Sequence, residues 1–205
     1  MLEQLVKTFI VFIVVIEPVS LVPIFGALTR GGEAGYRSRM ARKSIAISAG
    51  IFIVFALVGR WLLEVLGISV EAFKIAGGLL LFMLAVDMVF ARQSGLRSTT
   101  VREQDEARYR EDISVFPLAF PLITGPGALA TLLLLMSDTQ TALQAGLVLL
   151  TGLIALAVTL VFLLLTTPIM RVMGVTGANV VSRLLGVVLA ALAVQYVVDG
   201  FRAVV

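Results

Sequence analysis

The stretch EPVSLVPIF, residues 17–25, sets a carboxylate and two prolines inside an apolar run from about Leu5 to Leu28. Proline lacks a backbone N–H and its ring clashes with the preceding turn, so a helix is bent or interrupted where it occurs. A carboxylate at mid-membrane costs roughly 2.5–3.5 kcal/mol on insertion scales, which makes Glu17 a functional candidate rather than filler.

The rest of the chain supports a membrane reading of that run. Of 205 residues, 60% are hydrophobic and 14% charged, where soluble domains carry about 25% charged residues. A water-soluble globule cannot cover so much apolar surface with so little charge. The net charge of +3 is small, and no nucleic-acid partner is expected. With neither Cys nor His, thiol chemistry, disulfides, histidine proton relays and the usual metal sites are excluded. No cofactor or metal is expected.

Six apolar stretches follow one another: about Leu5–Leu28, Ser44–Leu63, Ala72–Phe90, Ile113–Met136, Ala142–Thr167 and Val180–Phe201. Each approaches the ~20 residues that a helix needs to cross a bilayer. Trp61 ends the second stretch as an interfacial anchor, with Arg60 and Glu64 spaced for a helix-end ion pair. Lys74 reads as a snorkelling side chain.

The two halves resemble each other. EPVSLVPIFGAL from Glu17 aligns with FPLITGPGALAT from Phe120, and the prolines of both, Pro18/Pro23 and Pro121/Pro126, are five apart. LGISVEAF (66–73) aligns with MGVTGANV (173–180), and GLLLFMLAVDMV (78–89) with GVVLAALAVQYV (186–197). Three matches in one order, at offsets of 103, 107 and 108 residues, indicate an internal duplication. The expected division is a first three-helix repeat over 1–91, a charged cytoplasmic linker over 92–112 and a second repeat over 113–205. Because the first span has a partner in the second half, it is expected to be retained and not cleaved as a signal peptide.

Three spans per repeat is odd, so the second half enters the membrane from the other side. The expected fold is therefore an all-α membrane protein of six transmembrane helices, built as two inverted repeats, an architecture recurrent in secondary transporters. If the spans alternate, one side receives segments 29–43, 92–112 and 168–183. These hold twelve of the sixteen Lys and Arg. Basic residues favour the cytoplasm, so both termini are expected outside. The chain has no native Cys, and single cysteines test this directly. One at Ser98 should be shielded from an impermeant thiol reagent in intact cells, while one at Thr139 should react. The reverse pattern would invert the topology. If the breaks in the first and fourth spans are re-entrant hairpins, loop 29–43 would share a side with the N-terminus.

Glu17 and Pro18 lie near the middle of the first stretch, and Thr124, Gly125, Pro126 and Gly127 near the middle of the fourth. Both helices are thus expected to break near the midplane, where irregular backbone is tolerated only against protein or a watery cavity. Half-helix N-termini offer free N–H groups to an anion. Glu17, Pro18, Ser20, Pro23, Thr124, Gly125, Pro126 and Gly127 are the candidate substrate-binding residues. Glu17 and Asp87 are the candidates for a coupling proton or ion; Gln195 is the repeat counterpart of Asp87. Gly77, Gly78 and Gly186 read as close-packing positions between helices. The bland alternative is that single proline kinks merely shape packing, but two matched kinks, one of them beside a carboxylate, point to a site.

These residues also carry a family resemblance. The chain resembles the MarC/SnatA family of small neutral amino acid transporters over nearly its whole length, through EPVSLVPIF, FKIAGGLLLFMLAVDM, AFPLITGPGA and RLLGVVLAALAVQYVVDG. The family's first motif usually has Asp or Asn where Glu17 stands and Gly where Ser20 stands, while the Gly125-Pro126-Gly127 element is intact. The resemblance implies a permease of the bacterial or archaeal cytoplasmic membrane, for glycine, alanine, serine or threonine, with proton or sodium coupling or exchange. A channel-like pore or an exporter of another small metabolite is the alternative. An intramembrane enzyme is not expected: His and Cys are absent, and Lys occurs only at 7, 43 and 74. Neither the oligomeric state nor the direction of transport follows from these residues.

Overall fold

The computed structural model describes residues 2–33, 35–91 and 112–203. The charged linker, apart from Asp112, lies outside the described residues, and so does Ser98. Every regular element among them is helical: α1 (Leu2–Ile16), α2 (Pro18–Leu28), α3 (Tyr36–Val65), α4 (Val70–Phe90), α5 (Ser114–Ile123), α6 (Pro126–Ser137), α7 (Ala142–Leu164) and α8 (Thr166–Arg202). Among the described residues, five helices are long and apolar enough to cross a membrane, counting α1 and α2 as one, or six if the bent α5–α6 pair is a single span. This is the all-helical, multi-span chain that composition and hydropathy require.

Local chemistry sets the helix ends. Ser69 caps α4 by accepting from the Ala72 N–H, and Thr141 caps α7 in a reciprocal capping box with Gln144. In α5, Pro117 and Pro121 cannot donate helical hydrogen bonds. The segment winds more widely than an α-helix, with the Thr124 N–H reaching the Ala119 carbonyl five residues back and Phe116 and Phe120 in extended conformations.

One expectation is corrected. Segment 168–183 is not a loop: it belongs to α8, which starts at Thr166, and Arg171 and Arg183 are helical residues. The change of direction is confined to Gly174 (φ 62°), a conformation that glycine adopts without the Cβ penalty. Lys74 pairs with Asp138. Arg60 and Glu64 do form their ion pair, at 3.2 Å.

Two packing centres organise the bundle. Phe12 of α1 meets Phe52 of α3 with ring centroids 5.7 Å apart. Both rings press on Gly152 of α7, where a Cβ would lie 3.1–3.3 Å from ring atoms. The second centre is the antiparallel pair α4–α8. A Cβ on Gly78 would stand 2.8 Å from the Ala193 carbonyl oxygen and 2.7 Å from Val197, and one on Gly186 would stand 2.8 Å from Met88 and 3.1 Å from Val89. One 108-residue shift carries 78 to 186 and 89 to 197, so each contact is the counterpart of the other under that shift. Gly200 makes a third close approach, to Glu71, Lys74 and Ile75.

Backbone cannot yield as a flexible side chain can. Gly78→Val is therefore expected to cost about 1–3 kcal/mol through overpacking, lowering the thermal transition of the detergent-solubilised protein. Gly146→Ala, at a position with open space around it inside α7, should not lower the transition and should raise it slightly, because alanine is the better helix former.

At one end of the bundle, the Lys43 ammonium hydrogen-bonds to Asp112 and, with Ser114, holds that carboxyl down at about 2. Asp112 is therefore ionised at neutral pH. At the same end, Arg37 of α3 donates to Thr29, which caps α2, at 3.1 Å and to Thr167 of α8 at 2.7 Å.

Candidate functional site

The first span is interrupted at Glu17. This residue sits between α1 and α2 with φ 53° and ψ 63°, in the left-handed region that non-glycine residues rarely occupy. Pro18 starts α2 without an N–H to offer, while the Glu17 N–H still closes α1 onto Ile13. A left-handed non-glycine residue costs on the order of 1–3 kcal/mol and persists where its surroundings hold it. Glu17 is 1% exposed, and its carboxylate accepts a hydrogen bond from the Ser20 hydroxyl, one turn into α2. The carboxyl group also lies at the N-terminus of α2, where the helix dipole favours an anion. Pro18 is buried, and Pro23 sits half-buried inside α2 without ending it.

The second interruption falls at Thr124–Gly125, between α5 and α6, whose axes differ by 56°. Thr124 is wholly buried, and its hydroxyl donates to the Ala119 carbonyl at 2.6 Å. Pro126 starts α6. As first-turn residues, Gly127 and Ala128 have no carbonyl behind them in their own helix for their N–H groups.

A small cleft lies where the α5–α6 bend meets α1 and α4. It is lined by Val15 of α1, Leu84 of α4, and Pro121, Leu122, Ile123, Gly125, Gly127 and Ala128 from the α5–α6 bend. Its interior is ≈ 10 Å³, about the room that one water needs. Of the sequence candidates, Gly125 and Gly127 line it directly. Glu17 follows the lining residue Val15 by two positions. Asp87 lies three residues beyond Leu84 on α4, near the same helix face, and is half-buried. Ser20 hydrogen-bonds to Glu17, whereas Pro18 and Pro23 belong to α2 and Thr124 and Pro126 flank the second interruption. Gly78 and Gly186 lie on the α4–α8 contact and Gly77 faces Leu134 of α6, all away from the cleft lining. Sequence reading missed Val15 and Leu84, which look like any other apolar positions until the helices are assembled. Among the described residues no cluster of acidic side chains could hold a metal ion.

Comparison with known proteins agrees on the kind of molecule. The family model described as MarC family integral membrane protein matches residues 2–205. A UPF0056 membrane protein of Methanocaldococcus jannaschii is 34% identical over 98% of this chain and 97% of its own length. A second from the same archaeon is 37% identical over 94% of this chain and 84% of its own length. The UPF0056 inner membrane protein YhgN of Escherichia coli is 30% identical over 98% of both chains. No solved structure matches.

Proposed function

This chain belongs to the MarC family of integral membrane proteins, and on that premise we propose that it is a secondary transporter of small neutral amino acids. One observation carries the reading: a fully buried carboxylate interrupts the first span two residues after Val15, which lines a cleft floored by the interruption of the fourth. A zwitterion needs a partner for each charge, because an unpaired charge at that depth is costly. The first-turn amides of Gly127 and Ala128 suit a substrate carboxylate. Glu17 carries the coupling proton or, failing that, faces the substrate ammonium; Asp87 is the second acidic candidate.

The two halves act as inverted repeats, a reading supported by the shift that relates the Gly78 and Gly186 contacts. The end bearing Arg30, Arg37, Arg39, Arg42 and Lys43 faces the cytoplasm. A cleft of one water's size is a closed state, so an amino acid enters only when helices separate.

The test is uptake of a labelled amino acid panel into proteoliposomes, with proton and sodium gradients imposed separately. Glycine, alanine, serine or threonine should accumulate under one of the gradients. Failure of all four under both would refute the substrate class.

A further inference from the structure

We propose that the seam between α4 and α6 is the gate that opens the cleft to one face of the membrane, with the Lys74–Asp138 ion pair as its bolt. The proposal rests on the transport reading above. The two helices run antiparallel in a steady register. At the cleft, a Cβ on Gly127 would meet Leu84 at 2.9 Å and Leu81 at 3.4 Å. Two turns further along both helices, in opposite chain directions, a Cβ on Gly77 would meet Leu134 at 3.1 Å. One turn beyond that, where α6 ends and α4 has just begun, Lys74 pairs with Asp138. The seam therefore leads without a change of partners from the cleft lining to the surface. The side chains named along it are apolar up to the ion pair, and apolar surfaces can part and reseat without exchanging specific partners.

The ion pair has the properties of a reversible fastening. Lys74 is 18% exposed, whereas both partners of each of the other three ion pairs among the described residues are at least 43% exposed. Fully exposed pairs hold little. A largely covered cation against a half-exposed carboxylate holds more, yet Asp138 stays wet enough to release it. Lys74 also abuts Gly200, where a Cβ would lie 3.2 Å from the Lys74 Cβ. The bolt is thereby fixed to the α4–α8 pair, and parting the seam would move α4 and α8 away from α6 together.

The experiment places one cysteine at Ala128, a cleft-lining residue, in the otherwise cysteine-free chain. It measures the rate of labelling by an impermeant thiol reagent from the face that carries Lys74. Lys74→Glu and Asp138→Lys should each raise that rate about fivefold by populating the open seam. Lys74→Met, which removes charge and keeps length, should raise it less. The exchanged pair Lys74→Asp with Asp138→Lys should return it to the parent rate, which also shows that these positions tolerate the changes. Unchanged labelling in the single variants, or an exchanged pair that labels as fast as they do, would overturn the proposal. Labelling does not depend on which solute is carried. Failure of the parent to move any amino acid would count against the transport reading alone.

Discussion

Replacing Glu17 by Gln is expected to abolish gradient-driven accumulation while sparing exchange of substrate for substrate. The amide keeps the shape of the carboxylate and can still accept the hydrogen bond from Ser20, so the interruption at residue 17 should survive. It cannot take up and release a proton. Accumulation should fall at least about tenfold, within the range of ordinary coupling free energies, while counter-exchange stays within about twofold of the parent. If Glu17→Gln instead loses substrate binding, the carboxylate pairs with the substrate ammonium. If binding and driven transport are both normal, Glu17 is structural and the site reading fails. Asp87→Asn is the companion measurement: a loss of coupling there and not at Glu17 would move the proton to α4.

Gly127→Leu should stop transport outright. A Cβ at this position already lies 2.9 Å from a Leu84 methyl, and the rest of the leucine would fill a cleft with room for one water. Flux should fall by roughly 100-fold or more, the scale on which displacements of about an ångström act at binding sites. The protein should still insert, since residue 127 lies inside the bundle and the lipid-facing surfaces are unaltered. Gly127→Ala should be intermediate, because the end of the Leu84 side chain can give way. Parental flux in Gly127→Leu would remove the site from the α5–α6 bend.

The helical membrane fold was legible because it depends on quantities that sum along the chain. Apolar content over some twenty residues is enough to mark a span, and Pro18 marked the neighbourhood of the first interruption. Its backbone was less legible: Glu17 adopts the left-handed conformation, whereas the residue before a proline is ordinarily extended. The turn at Gly174 was hidden for a related reason. A run of modest hydropathy between two arginines looks like a loop, yet one glycine with positive φ bends α8 and lets both arginines stay helical. The candidate site was legible only in its polar and irregular residues. Val15 and Leu84 carry no signal of their own, and the Lys74–Asp138 pair joins residues 64 positions apart. Such contacts depend on how helices pack, which neither hydropathy nor spacing encodes.

The central claim, a carrier for small neutral amino acids, is tested most directly by counterflow. Proteoliposomes loaded with unlabelled alanine and diluted into a trace of labelled alanine should accumulate label transiently above its equilibrium level, with no ion gradient imposed. The overshoot should vanish when the internal alanine is omitted. A monotonic approach to equilibrium, unaffected by internal alanine, would identify a pore and contradict the account.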